Sequence, residues 1–372
     1  MADAPVRVVH CLDSLEISGG VQAMIMNVYR NIDKSRVQFD FAAYDAPEQN
    51  SYVQEIESFG GRVFKVDNLS TAKPIGFYKQ YKKLFGAERF HAVHAHNIQH
   101  NGIILMAAKH CGIGNRISHS HQCFDDRAVG CAKKIFNNIL MKMNLHYATQ
   151  RVACSDVAAK FLYGDCSYIF LSNGVEFGRF IHKDVEKSAG LKSELGIRED
   201  ENVLLHIGRF APQKNHLFFI DILKNLPESF KYKMLFVGDG ELHKEFAQAI
   251  VDNGLEDKCV LLGVRSDVPE LLSITDLFLL PSTSEGLPVC IVEAQESGVM
   301  SIISDTITRQ TDLGIGLVEF LPITDGKQWA KRIVENCNYK HYVSQEQRLE
   351  AIKAHGFDMN SCTEKFYSLY KI

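Results

Sequence analysis

Short apolar runs alternate with helical stretches along nearly the whole chain, and the alternation pauses once, around Ser172-Asn173-Gly174-Val175. Strand patterns are read at 6–11, 39–44, 62–66, 92–95, 116–120, 151–154 and 168–171. Between them run helical patterns, one opened by Gly19-Gly20-Val21, others over 75–86, 101–111 and 131–148. After the pause come strands at 203–207, 233–237, 260–262, 277–280 and 300–304, with helices at 215–224, 241–253, 268–273 and 288–297. Strands that bury both faces need helices on both sides, and this order supplies them when the strands run parallel. The fold class is therefore α/β, with two Rossmann-like doubly wound parallel-sheet domains. A chain of 372 residues exceeds what one core usually organises. The boundaries are drawn at 1–174, 175–355 and 356–372, the last holding a helix with Phe366, Leu369 and Tyr370 at helical spacing. The polar stretch 177–193 has few core-forming residues and reads as the linker.

The second half contains the segment richest in chemistry, Pro281-Ser282-Thr283-Ser284-Glu285-Gly286-Leu287-Pro288-Val289-Cys290-Ile291-Val292-Glu293. It follows a strand and leads into a helix, with Pro288 where the helix starts. The amides of Gly286, Leu287 and Val289 are then unpaired at the positive end of a helix dipole, which suits a phosphate. Glu285 lies in the turn and Glu293 in the second helical turn, near a group attached to that phosphate.

Two cations stand at a neighbouring strand end. Gly208-Arg209-Phe210 follows the strand 203–207, and Lys214 comes just before the next helix. A planar guanidinium and a point-charge ammonium are suited to holding a diphosphate; the competing reading is a solvated loop. Gly238-Asp239-Gly240 also ends a strand, but the third glycine of a dinucleotide fingerprint is missing where Glu241-Leu242-His243 follows. A tight turn that brings backbone close to a ligand is the better reading, and a nicotinamide oxidoreductase is disfavoured. Gly19-Gly20 fits a plain strand-to-helix turn equally well as an approach to phosphate or sugar.

His94-Ala95-His96 and His119-Ser120-His121 place paired imidazoles on one face of a strand, as some zinc sites do. No Asp/Glu ligand set accompanies them, and the two-domain alternation differs from an eight-fold barrel. No metal is therefore expected; His121 is read as a hydrogen-bonding group at a strand end and the others as structural. Glu285 and Glu293 also suit a glycosidase, which flanks a sugar bond with two carboxyls. Cations and a helix dipole beside them favour the ionised form of both, which suits a phosphate-bearing donor better than an acid catalyst.

Ten scattered cysteines without a CxxC pair are read as reduced thiols of a cytosolic protein. No apolar run approaches the roughly 20 residues needed to span a bilayer. Residues 1–180 carry 20 Lys and Arg against 16 Asp and Glu, although the whole chain has a net charge of −4. That mildly basic first half allows peripheral contact with an anionic membrane face and gives no basis for a nucleic-acid partner.

Taken in order, these segments resemble the GT-B glycosyltransferases of the large retaining family 4. The carriers are Gly19-Gly20, Asn173-Gly174-Val175, Gly208-Arg209 with Lys214, Gly238-Asp239-Gly240, Gly263 before Val264-Arg265, and the Glu285-x7-Glu293 pair. The resemblance spans nearly the whole chain. It implies two domains facing a cleft, the donor held mainly by the second, and the last helix crossing back to the first. Carried over, Arg209 and Lys214 bind the diphosphate, Glu293 the ribose hydroxyls, and backbone around Val264 and Arg265 the base. Glu285 and the Gly286, Leu287, Pro288 and Val289 segment hold donor sugar and phosphate. Gly19, Gly20, Gly208, Gly238 and Gly240 lie close to the donor, while His121 and Asn97 line the acceptor side.

The expected activity is retaining transfer from a nucleotide-sugar, most commonly a UDP-sugar, to a lipid-linked or polymeric surface glycan, without metal or other cofactor. Catalysis is assigned to Glu285, His121, Arg209 and Lys214. Two positions depart from similar sequences: Gln22 where Glu is frequent, and Gln122-Cys123 where Asp or Asn follows the histidine. A nucleotide-sugar epimerase or hydrolase of the same fold, and a non-catalytic nucleotide-sugar-binding protein, are the alternatives.

Overall fold

The computed structural model describes residues 4–17, 20–121, 131–172, 174, 175, 178, 180, 184–339 and 341–372, with 131–133 as backbone only. Gly19, Gln122, Cys123 and Asn173 lie outside the described residues. The chain divides into two compact units: Met1–Gly174 with Asp358–Ile372, and Val175–Phe357.

The first unit is a seven-stranded parallel sheet of β1 (Val6–Ser14), β2 (Val37–Asp45), β3 (Val63–Lys65), β4 (Ala92–Ala95), β5 (Asn115–Ser120), β6 (Gln150–Ala153) and β7 (Ile169–Phe170). Their order in space is β3-β2-β1-β4-β5-β6-β7. The second unit holds β8 (Asn202–Ile207), β9 (Tyr232–Val237), β10 (Cys259–Leu261), β11 (Leu277–Leu280), β12 (Met300–Ser304) and β13 (Val318–Leu321), in the order β10-β9-β8-β11-β12-β13. In each sheet the connections reverse direction once, between β1 and β4 and between β8 and β11. Such a switch point opens a crevice outside the carboxyl ends of the strands, where ligands of doubly wound folds bind.

Each sheet is buried by apolar layers on both sides. The central strands accordingly read as near-continuous apolar runs, Leu277-Phe278-Leu279-Leu280 being wholly buried. The last helix, Met359–Tyr370, belongs to the first unit. Its Met359, Cys362, Phe366, Leu369 and Tyr370 join the core around Phe39 and Phe41. Asn115 Nδ2 and Gln150 Nε2 both donate to the Leu369 carbonyl, at 2.8 and 2.7 Å, satisfying a helix-end acceptor that has no partner within the helix.

The sequence reading of 177–193 as linker does not hold for the described residues from 184 onward, which start and form a helix. Asp184 accepts from the amides of Glu186 and Lys187 and starts the helix Val185–Glu194. Phe180 and Leu191 are buried in the second unit's core. Periodicity misled here because one apolar residue anchors this otherwise polar helix. Further elements escaped the sequence reading, among them the helices Asp156–Tyr163, Gly326–Asn338 and Gln345–Ala354, and the edge strand β13. Their caps were legible in hindsight, with Ser155, Asp325 and Ser344 each accepting from a first-turn amide. The described cysteines are free thiols. No helix among the described residues is long and apolar enough to cross a membrane.

Candidate active site

At the switch point of the second sheet, two loops meet. The loop after β8 carries Gly208, Arg209 and a 3₁₀ turn, Pro212–Lys214; the loop after β11 carries Glu285 and runs into the helix Val289–Ser297. They are stitched together by backbone: the Thr283 amide donates to the Gln213 carbonyl (2.8 Å), and Asn215 Nδ2 donates to the Pro281 carbonyl (3.2 Å). Asn215 takes a left-handed conformation, φ 57°, which ends the 3₁₀ turn and begins the next helix. Asparagine adopts it more readily than most residues.

This framework brings Lys214 Nζ to 2.7 Å from Glu285 Oε1, both side chains being largely buried at 14% and 13% exposure. Burial alone would lower the Lys214 pKa, but the adjacent Glu285 carboxylate outweighs it and the lysine is raised above its ordinary value. It therefore stays charged. Of its three N–H donors, those not turned to Glu285 are available to an anion. The helix Val289–Ser297 has Pro288 as its N-cap; the Ile291 amide donates to the Pro288 carbonyl at 3.1 Å, and no side chain caps the amides before it, the end of a helix that suits an anion. Glu293 stands half-buried in the second turn of that helix.

Glycine is required where the chain doubles on itself. Gly238 has φ +136°, and a Cβ there would lie 2.1 Å from the Gly208 carbonyl oxygen. A Cβ on Gly240 would lie 2.5 Å from the Phe210 oxygen. The Gly208 and Gly238 turns thus pack backbone against backbone, and a Cβ on Gly208 would also press on the Lys214 stem, at 3.0 Å. Gly20 differs: it opens the helix Gly20–Asn31 with nothing within 4 Å of an added Cβ.

The remaining expected residues are less concentrated. Arg209 is 72% exposed and pairs with Glu241 at 3.1 Å. Val264 is exposed. Arg265 forks onto Asp267, with Nε to Oδ1 at 2.7 Å and Nη2 to Oδ2 at 2.5 Å, so its guanidinium is already engaged. Asn97 is buried in the first unit and donates to Asp13 Oδ1 at 2.6 Å. Gln22 donates to the Ser14 carbonyl at 2.8 Å, holding the first helix to the end of β1.

Two histidines behind Lys214 were missed. His206, at the end of β8, and His216, first residue of the next helix, are buried with ring centroids 4.9 Å apart. Burial, with Lys214 among the added influences, holds His206 well below its usual range and brings His216 to about 4. They form a neutral wall under the charged pair. A histidine at a strand end beside the Gly-Arg turn was the available signal.

In the first unit the histidine pairs share one face of the sheet and join a fifth, His10, whose Cα is the register partner of His94. Tyr370 reaches them from the last helix, its hydroxyl 3.0 Å from His94 Nδ1 and 3.2 Å from His10 Nε2. His121 is the half-buried member, and the other four are buried. Burial, helped by neighbouring rings, holds His10, His94, His96 and His119 well below the usual histidine range; burial likewise takes His121 to about 3.

Two doubly wound sheets, one gathering a buried Lys–Glu pair and a helix start without a side-chain cap at its switch point, are found here in a chain whose relatives and structural neighbours are GT-B glycosyltransferases. The glycosyl transferases group 1 profile matches residues 189–313, which hold that pair. EpsF of Bacillus subtilis (strain 168), a protein with a glycosyltransferase name, is 34% identical over 339 residues, covering 88% of this chain and 86% of its own. The Escherichia coli UDP-Gal:α-D-GlcNAc-diphosphoundecaprenol α-1,3-galactosyltransferase is 29% identical over 252 residues, 64% of each chain. The structure of Anabaena HepE in complex with UDP-glucose aligns at TM-score 0.78 and 18% identity, over 98% of this chain and 100% of that one. The chain belongs to the group 1 glycosyltransferases.

Proposed function

We propose that the protein moves a sugar from a UDP-sugar to a hydroxyl of a lipid-linked or polymeric surface glycan, with retention at the anomeric carbon and without a metal at the diphosphate. The observation that carries this reading is the 2.7 Å Lys214–Glu285 pair beside the uncapped start of the helix Val289–Ser297. UDP and UDP-glucose in the HepE structures, and UDP-Gal and a diphosphoundecaprenol in the name of the E. coli relative, support the donor and acceptor class. The capsular polysaccharide glycosyltransferase CapH of Staphylococcus aureus, 23% identical over 98% of each chain, points the same way.

In this reading Lys214 and Arg209 hold the diphosphate, with Gly208, Gly238 and Gly240 letting backbone come close. Glu285 and the Gly286 to Val289 segment hold donor sugar and phosphate, Glu293 takes the ribose hydroxyls, and backbone at Val264 and Arg265 meets the base. Gly19 and Gly20 are assigned to the phosphates, and His121 and Asn97 to the acceptor. As the bond from anomeric carbon to phosphate oxygen breaks, negative charge grows on the departing diphosphate. The acceptor oxygen bonds to that carbon on the same face, and its proton passes to the phosphate oxygen that has left. Fixed positive donors lower the barrier, each such preorganised group being worth about 3 to 4 kcal/mol.

The test is incubation with a panel of nucleotide-sugars, with and without undecaprenyl-diphosphate-linked sugars, followed by NMR of the product. An α-linked product from an α-linked donor is expected, at the same rate with or without added Mg²⁺ or Mn²⁺. A β-linked product overturns retention; epimer or free sugar from donor alone, at the full rate, overturns transfer.

A further inference from the structure

The histidine cluster of the first unit is more than a packed set of rings. Ala95 pairs with Ser118 across β4 and β5, so His96 and His119 follow side by side, and His121 stands two residues further on the same face. One ring nitrogen from each of His96, His119 and His121 lies within 4.8 Å of the other two. His119 Nε2 is buried and has no hydrogen-bond partner among the described residues. His96 Nδ1 and His121 Nε2 are 2.8 Å apart and share a single hydrogen.

We propose that His96, His119 and His121 bind a borderline transition-metal ion, Zn²⁺ being the best fit, through three imidazole nitrogens, with a water or hydroxyl oxygen in the fourth position. The ion would replace the proton shared by His96 and His121 and give His119 Nε2 the partner it lacks. Three nitrogens without a carboxylate select against Mg²⁺ and Ca²⁺, which take oxygen ligands, and suit Zn²⁺, Co²⁺, Ni²⁺ or Cu²⁺. The second group within reach, His10, His94 and His96, is a poorer candidate. His94 has both nitrogens committed and all three rings are buried, whereas half-buried His121 gives an ion a way in.

The surroundings suit such ligands. His96 Nε2 faces His10 Nδ1 at 3.1 Å, and His119 Nδ1 faces His94 Nε2 at 3.2 Å. Once Nδ1 of His96 and Nε2 of His119 ligate, those opposite nitrogens carry hydrogen and donate to His10 and His94. Both of these in turn donate to the Tyr370 oxygen. The two arms thus converge on one acceptor, and every ligand-bearing ring with a buried far nitrogen has it oriented, as metal-binding histidines require.

The experiment is titration of tag-free, EDTA-stripped full-length protein with Co²⁺ and then Zn²⁺. One equivalent of Co²⁺ should give the intense visible band of a four-coordinate site, and one equivalent of Zn²⁺ should remove it. His121→Ala and the double variant His119→Phe/His121→Ala should abolish the band, and Tyr370→Phe should weaken affinity about 10- to 100-fold. Circular dichroism melting shows whether each variant folds; His121→Ala, at the partly exposed ring, decides if the double variant does not. Equal Co²⁺ binding by wild type and folded His121→Ala overturns the proposal, as does a wild-type protein that binds no metal. The readout is the metal spectrum, so failure of the transfer reading would leave this result intact.

Discussion

The two sheets have the same winding, and each gathers polar side chains beside its switch point, yet they fill the place with opposite chemistry. The first sheet puts uncharged rings there, five imidazoles met by one phenol. The second puts a buried ion pair, exposed Arg209 and a helix start that no side chain caps. A doubly wound sheet thus dictates where a site lies and not what it does. The same contrast holds for two buried acids. Asp40 in the first unit is forked by Arg7 and Arg62, which outweigh the cost of burial and pull its pKa down. Glu296 in the second unit is also buried, but burial outweighs the Gly178 amide and Arg348, and its pKa rises to about 7.

The largest effect expected is on turnover. Lys214→Ala should lower kcat about a hundred- to a thousandfold, measured by UDP release with acceptor present. If this variant turns over like wild type, the charged site of the second unit is not the donor site and the contrast collapses.

Next comes Asp40→Asn, which strands two guanidinium groups around a neutral amide. Breaking a fully buried pair costs about 3 to 5 kcal/mol, and because both arginines are partly in solvent roughly 2 to 3 is expected here. With its folded pKa depressed, Asp40 contributes stability that is present above its unfolded value, about 3.9, and lost as pH falls through the folded one. Urea unfolding at pH 7 and pH 3 should show the deficit of the variant shrinking at the lower pH.

Glu296→Gln should behave in the opposite sense. A carboxyl whose folded pKa is raised costs stability as pH climbs from its unfolded value toward about 7, because the unfolded chain releases the proton first. The variant should melt near wild type at pH 5 and gain about 1 to 2 kcal/mol on it at pH 8. A gap that does not change with pH would remove Glu296 from the comparison.

The smallest effect is on folding by Arg209→Ala. An exposed pair such as Arg209–Glu241 is worth about 0 to 1 kcal/mol, so melting should hardly move while turnover falls at least about tenfold. A large drop in melting temperature with intact turnover would make Arg209 a structural residue.

Much of this was legible in the chain. Strand positions followed from apolar runs flanked by glycine, and the Gly208 and Gly238 turns were visible because glycine is needed where backbone meets backbone. The linker reading failed at Phe180 and over 184–193, since Phe180 and Leu191 meet the second unit's core only after folding. His206 stood visibly at a strand end, but its burial with His216 behind Lys214 arises only in the folded chain. The histidine pairs were seen as pairs; that His10 and Tyr370 complete the set depends on contacts spanning up to 360 residues.

By itself the sequence determined the alternation that forces two parallel sheets, and the turn and helix start at 285–289, because both are local consequences of side-chain pattern and backbone freedom. The tertiary structure alone decided which charges meet. Lys214 and Glu285 are 71 positions apart and become a buried pair only because β8 and β11 are neighbours at the switch point. Arg265, equally basic in the sequence, is turned aside by Asp267 two residues away. Coulomb energy depends on distance and burial, and both are properties of the folded chain.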